Sequence, residues 1–387
     1  MTTVPPTLAA VPHPSDPATS WWGDLPDHFR AFARTDGVRA PLYGRITAAA
    51  ADDPEVLGLL DAAPADQRRA VLLLAAVHDL VLAEPDLDLA RWYPSVTPDP
   101  TDRPAADPWP AFRALALARS AELRATIATR SVQTNEVGRS LALLPALGLV
   151  AAEAGRPLAL LEVRASAGLN LRFDRYRLGY HQPGGAVVVA GDRDGRPALD
   201  CRVHGEVPVP VPNEAVPVAA RVGLDRAPID VTDLDATRWL EACVFPDRVD
   251  RLERLRAAID GARLDPPRIE TGDAVADLAR VAATLPADAA LCVVHSWALT
   301  YVPEPDRFVA ELVALASDRP VWWVSVEPPR TVPGLDVPRR DPSVTPEMAG
   351  NTITAVVRLA GDHRRDQVLA RSHPHLDWIQ WVAPGPI

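Results

Sequence analysis

The 387-residue chain contains no lysine; all 40 of its basic residues are arginines. That excludes any reaction built on an internal lysine Schiff base, so pyridoxal phosphate is not expected as a cofactor. It also excludes the lysine of a phosphate-binding P-loop. Cysteine is nearly as scarce. Cys201, Cys243 and Cys292 lie far apart and make neither a C-x-x-C pair nor a disulfide framework, which fits a reducing cytoplasm. Positive charge is in deficit: 51 acidic residues against 40 arginines leave a formal net charge of −11, which argues against a nucleic-acid partner. Long apolar runs are missing too. The run VLLLAAVHDLVLA is too short to cross a bilayer and is interrupted by His78 and Asp79, so no membrane partner is expected. The first twenty residues have neither a basic n-region nor an apolar h-region, so no signal peptide is expected and the expected location is cytoplasmic.

Proline, by contrast, is plentiful at 41 residues. It crowds the first 24 positions, which read as a disordered tail, and the connector PSVTPDPTDRPAADPWP from Pro94 to Pro110. Residues 25–155 carry apolar positions at helical spacing, with helices expected over Ala111–Ala128 and Glu136–Ala154. From residue 156 the texture changes. LALLEV, VAARVGLD, PRIETGD, ALCVVHSW and PVWWVSVE read as buried strands alternating with helical segments, and a glycine- and proline-rich β insertion falls at about 183–215. TITAVVRLAG and QVLARSHPHLDWIQWV read as an antiparallel pair. The expected fold is α/β: a Rossmann-like, mostly parallel sheet over 156–387, preceded by a helical region.

The stretch LLEVRASAGLNL, Leu160 to Leu171, is an apolar strand ending in an acid, then small residues, then an expected helix start. In open α/β sheets such a turn holds a ligand, with glycine allowing close backbone approach. Glu162, Ser166 and Gly168 fit that pattern. The same letters are one glycine short of a nucleophile elbow, which would make Ser166 a nucleophile with His373 or His375 as base. RSVQTNEVGRS places Gln133, Asn135, Glu136 and Arg139 just before this strand, either as a helix start with Thr134 or Asn135 as N-cap or as substrate contacts. Asp273, in TGDAVADL, is an N-cap or faces a ligand. His295 stands at the end of the next strand, where acid–base groups collect. His373 and His375 would share one face of a strand, but a third ligand is lacking and no metal is expected. His78 reads as a hydrogen-bonded core residue, and the pairs Trp21-Trp22 and Trp322-Trp323 as packing.

Together, TRSVQTNEVGRS, LLEVRASAGLNL with DRY after it, VAARVGLD, GDAVADL, HSWALTYV, RPVWWVS and HPHLDW resemble the bacterial domain-of-unknown-function family 2332, from about Phe29 to Trp381. More distantly, the sheet region is similar to class I S-adenosylmethionine-dependent methyltransferases, whose first motif is acid-x-Gly-x-Gly-x-Gly. The resemblance implies Glu162 as the acid, Arg164, Ser166 and Gly168 at the glycine positions, and Asp273 as an adenine-facing acid. Arg164 departs from the pattern. Its guanidinium, if it points inward, disfavours a sulfonium and attracts a carboxylate, phosphate or sulfate.

The leading expectation is therefore a methyltransferase-like enzyme acting on a small molecule, in specialised metabolism. S-adenosylmethionine would be held by Glu162, Arg164, Ser166, Gly168 and Asp273. Gln133, Asn135 and Arg139 would contact the substrate under a helical cap, and His295 or Glu136 would serve as acid–base group. Three alternatives stand beside it. One is an elimination, cyclisation or displacement on the same scaffold without the cofactor. The others are a serine hydrolase using Ser166, and a non-catalytic partner subunit. A homo-oligomer is compatible with each.

Overall fold

The computed structural model describes residues 24–337 and 352–383. The expected N-terminal tail and Trp21-Trp22 lie outside the described residues. The chain divides into two compact units, residues 1–74 with 105–131, and residues 75–104 with 132–387. This division differs from a single boundary near residue 155.

The first unit holds α1 (Leu25–Arg34), α2 (Pro41–Ala50) and α3 (Pro54–Leu57), and α4 (Ala70–Ala83) begins in it. It is completed by α5 (Trp109–Ala118) and α6 (Ser120–Thr129). The last two were expected as one helix; the chain breaks at Arg119, whose backbone leaves helical geometry. Asp53 starts α3 by accepting from the backbone N–H groups of Glu55 and Val56, and also takes Arg113 Nε at 2.6 Å.

The second unit contains an eleven-stranded sheet. Its strands in chain order are β1 (Leu158–Val163), β2 (Arg177–His181), β3 (Val187–Gly191), β4 (Ala198–His204), β5 (Val218–Asp225), β6 (Ile269–Thr271), β7 (Ala290–Ser296), β8 (Val321–Glu327), β9 (Thr352–Ala360), β10 (His363–Ser372) and β11 (Trp378–Trp381). The spatial order is β3-β2-β4-β11-β10-β9-β8-β7-β1-β5-β6. The parallel block β6-β5-β1-β7-β8 is the part read from the apolar runs. β1 and β8 are buried at every position, as strands covered on both faces must be. The expected insertion does not form a separate sheet. β4 pairs in parallel with β11, so β2, β3 and β4 extend the main sheet. The expected terminal pair exists as β9 and β10, but Pro374 lies in a turn and the chain resumes as β11.

Helices α7 (Ser140–Ala154), α8 (Leu234–Ala242) and α9 (Val249–Leu264) cover one face, and α10 (Leu278–Ala282) and α11 (Pro305–Ala316) cover the other. The stretch Val137–Ala154 is long and apolar enough to cross a membrane by length and composition, yet 72% of it is buried inside the protein as a core helix. Pro145 inside α7 has no N–H to give Leu141 O. The Tyr180 hydroxyl of β2 donates to that freed carbonyl at 2.9 Å. Gly155, at φ 62, closes the helix just before β1.

Candidate functional site

Strand order decides where a ligand can sit. Within the parallel block, after an excursion from β1 through β2, β3 and β4 at the far edge, the chain runs to β5 and β6 on one side of β1, then crosses back to β7 and β8 on the other. The reversal falls between β1 and β7, and in open α/β sheets the crevice beyond the carboxyl ends at this point binds ligands. All the sequence-singled motifs of the second unit except His78 converge on that end of the sheet or on its strands.

The turn after β1 keeps a glycine-like backbone at positions where glycine is absent. Arg164 has φ 58, Ser166 φ 55 and Gly168 φ 67, so all three motif positions are left-handed. The backbone shape that glycine would permit is thus kept with two side chains present. For L-residues this conformation costs about 1–2 kcal/mol each, and surrounding bonds hold it. Arg164 N donates to Leu224 O at 2.7 Å and Ser166 N to Asp225 Oδ2 at 2.8 Å. The Ser166 hydroxyl donates to Gln133 Oε1 at 2.7 Å, and Leu169 N donates to Asn135 Oδ1 at 3.2 Å. Gly168 is required for a second reason, since a Cβ there would stand 2.8 Å from Pro267 Cβ. After Gly168 the chain forms 3₁₀ turns over Leu169–Arg175 in place of the expected helix start.

These bonds reassign several residues. Gln133 and Asn135, expected at the substrate, spend their amides buckling the turn; Gln133 Nε2 also donates to Ala227 O at 2.9 Å. Neither Thr134 nor Asn135 caps a helix: residues 130–136 form no regular secondary structure, and α7 starts at Ser140 after one 3₁₀ turn (Val137–Arg139). Ser166 has an amide oxygen as its partner rather than a histidine, so the nucleophile-elbow reading lacks its base.

A second cluster lies at the start of α7. Glu136 is 4% exposed. Its Oε2 accepts from Arg251 Nε at 2.8 Å, and its Oε1 accepts from Gly138 N at 3.1 Å. His375 Nδ1 is 2.8 Å from Oε2, a close contact too bent for a full hydrogen bond. Burial alone would raise the Glu136 pKa, but Arg251 and His375 hold it well below the usual carboxylate range. Burial lowers the His375 pKa against the pull of Glu136, so the ring is neutral at neutral pH. Gly138 permits this junction: a Cβ there would lie 2.8 Å from His375 O.

Arg139 is 5% exposed; its Nη1 donates to Ser296 O at 3.0 Å and to Ser296 Oγ at 3.3 Å, and the guanidinium stands 5.8 Å from the Trp297 ring centre. Its Nε has no hydrogen-bond partner among the described residues, and burial pulls its pKa down to about 10. Glu162, 4% exposed at the end of β1, is pushed up to about 8 by burial, against a hydrogen bond from the Asn170 side chain.

His295, expected as an acid–base group, is instead a core residue. Its Nδ1 is 2.7 Å from Glu327 Oε1 and its Nε2 accepts from Trp323 Nε1 at 2.7 Å. Both ring nitrogens are engaged and the ring is 1% exposed, so it has no position left to exchange a proton with a ligand. Glu136, held ionised by Arg251, has His375 Nδ1 2.8 Å from its Oε2. His78 sits where a core histidine should, with Nδ1 3.0 Å from Ala242 O and Nε2 2.8 Å from Ser95 Oγ.

Beyond the strand ends a crevice of about 290 Å³ is lined by Arg164, Asp225, Asp273, Tyr301, Glu304 and Arg307, among others. Asp273 accepts from Val275 N and Ala276 N and pairs with Arg226; despite its partial burial these partners pull its pKa down to about 2. It thus caps the turn over residues 274–277 rather than α10, whose N-cap position is Asp277, and it lines the crevice as well. Asp225 was not singled out in the sequence. The signal was present, because VAARVGLD ends in an acid at a strand end, but only the pairing of β5 with β1 brings it beside the turn.

The sheet order, the left-handed turn and the crevice define an α/β protein of the Rossmann-like class with a ligand-type site at its switch point. The chain belongs to the family described as uncharacterized protein conserved in bacteria (DUF2332), whose profile matches residues 26–381. No curated protein and no solved structure matches the chain.

Proposed function

We propose that the chain is a methyltransferase-like enzyme acting on a small molecule, with the switch-point crevice holding a nucleoside-bearing ligand. The observation that carries this reading is the crevice itself, walled by a left-handed turn after β1 and by acids at the ends of β5 and β6. Its volume is at the lower end of the range for small-molecule sites.

S-adenosylmethionine is the cofactor to test against these residues. Asp225 and Asp273 already accept hydrogen bonds, but a carboxylate oxygen has two lone pairs, so both can also accept from ribose or base groups. The turn backbone is close-packed enough to sit under such a ligand. Arg164, on the crevice wall, fits the acidic end of the molecule and opposes its sulfonium. When bound, the cofactor supplies an electrophilic methyl group. This chain would supply the rest. Asp225 and Asp273 would orient the nucleoside, and Glu136 would position His375 through Nδ1. The Nε2 lone pair of His375 is the proton acceptor for a substrate hydroxyl or amine, since Nδ1 faces Glu136.

The test is calorimetric titration with S-adenosylmethionine and S-adenosylhomocysteine. Binding by the native chain, weakened at least about tenfold in Asp225→Ala, is expected. Failure of both ligands to bind the native chain overturns the reading.

A further inference from the structure

Three arginines line the crevice. Arg226 pairs with Asp273, and Arg307 pairs with Glu304 at 2.6 Å. Arg164 has no carboxylate partner among the described residues; its guanidinium lies 5.6 Å from the centre of the Tyr301 ring. Tyr301 is itself 47% exposed, an uncovered aromatic on a crevice wall. Arg164 also holds a left-handed backbone, a strained placement that a structure keeps where the side chain has a use.

A second arginine is buried against Trp297, its guanidinium 5.8 Å from that ring centre. Arg139 is buried, makes no ion pair among the described residues and has an unpartnered Nε. Glu136 and Glu327 act on its charge from a distance. Its hydrogen bonds go to a backbone carbonyl and a hydroxyl, so no carboxylate contacts it directly.

We propose that Arg164, set against Tyr301 on the crevice wall, binds an acidic group of the crevice ligand, a carboxylate or a phosphate. The inference rests on the nucleoside reading for the rest of the ligand. It selects nucleosides with an acidic tail over neutral ones. It also assigns Tyr301 as the plate that holds the Arg164 guanidinium flat, so that its edge donors face the ligand.

The experiment compares adenosine, adenosine monophosphate, S-adenosylhomocysteine and methylthioadenosine, which lacks the amino-acid tail. They are titrated calorimetrically into the full chain and into Arg164→Gln and Arg164→Gly. Adenosine monophosphate, S-adenosylhomocysteine, or both should bind the native chain about tenfold or more tighter than the two neutral nucleosides. Both variants should erase that preference and leave adenosine unchanged. The phosphate and amino-acid arms show which acid is read. In parallel, phenylglyoxal labelling of Arg164 is followed by mass spectrometry with malonate or inorganic phosphate alone. Protection by either anion is expected and reads the acid site without a nucleoside. Nucleoside binding with no acid preference overturns the proposal and leaves the nucleoside reading standing. Anion protection without nucleoside binding does the reverse. Absence of both overturns both.

Discussion

Glu162 and Glu136 are both buried glutamates at one end of the sheet, yet their charge states are opposite. Glu136 has Arg251 as a 2.8 Å partner and stays ionised. Glu162 has an amide neighbour and an oxygen with no partner, so burial wins and its pKa rises to about 8. The stability consequences have opposite signs. For Glu162 the folded pKa lies above the unfolded one. Its contribution is full below the unfolded value and falls as pH rises from there to about 8. Glu162→Gln should therefore match the native chain in acid and melt at least about 2–4 °C higher at pH 9. Equal melting temperatures at pH 9 would show that Glu162 is not held neutral. For Glu136 the folded pKa lies below the unfolded one, so its contribution is lost as pH falls. Glu136→Gln leaves Arg251 buried without its charge and should cost about 3–5 kcal/mol in urea unfolding at pH 7.

At the scale of elements, α7 and the turn after β1 show where local sequence rules needed a distant partner. Pro145 is tolerated inside α7 because Tyr180, on β2, takes up the carbonyl that the proline leaves free. Tyr180→Phe removes only that donor. It should destabilise the chain by about 1–3 kcal/mol, the range for an unsatisfied buried acceptor; a change near zero would mean water replaces it. The turn makes a parallel case. Gly168→Ala meets both a left-handed φ and Pro267 and should lower stability by more than the about 1–2 kcal/mol of φ strain alone. Arg164→Gly meets neither penalty and should leave the melting temperature within a few degrees of native.

Across the whole molecule, acid sensitivity follows from the histidines. Burial lowers His78 to about 4, and it lowers His375 as well; in the first unit His28 is also brought to about 4, by burial and then by Arg69. Each stays neutral when folded and takes a proton when unfolded, so stability is present above the unfolded histidine pKa and is lost as pH falls toward the folded one. Each net proton contributes about 1.4 kcal/mol per pH unit in that window, with Glu162 offsetting one of them wherever the pH lies above its unfolded value. Urea midpoints should therefore drop steadily from pH 7 to pH 4.5, and a His78→Gln variant should show a shallower slope. A flat profile would contradict the neutral burial of these rings.

The parallel block of the sheet was legible in the amino-acid order alone. Runs such as LALLEV and VWWVSVE are almost wholly apolar, without the alternation of a half-exposed strand, as strands covered on both faces require. The place of the turn after β1 was legible as well, because small residues and an acid at a strand end are local features. Which side chains meet there was not. Glu136 and His375 are 239 positions apart, Asp225 is 59 from Ser166, and none of these contacts has a periodicity or a spacing to read. His295 shows the same limit from the other side. Its place at a strand end looked chemical, and only the pairing of β7 with β8 delivered Glu327 and Trp323 to its two nitrogens. Local propensity acts over a few residues. The choice among the polar groups that converge on one end of a sheet is made by strand order, which sets which distant residues become neighbours.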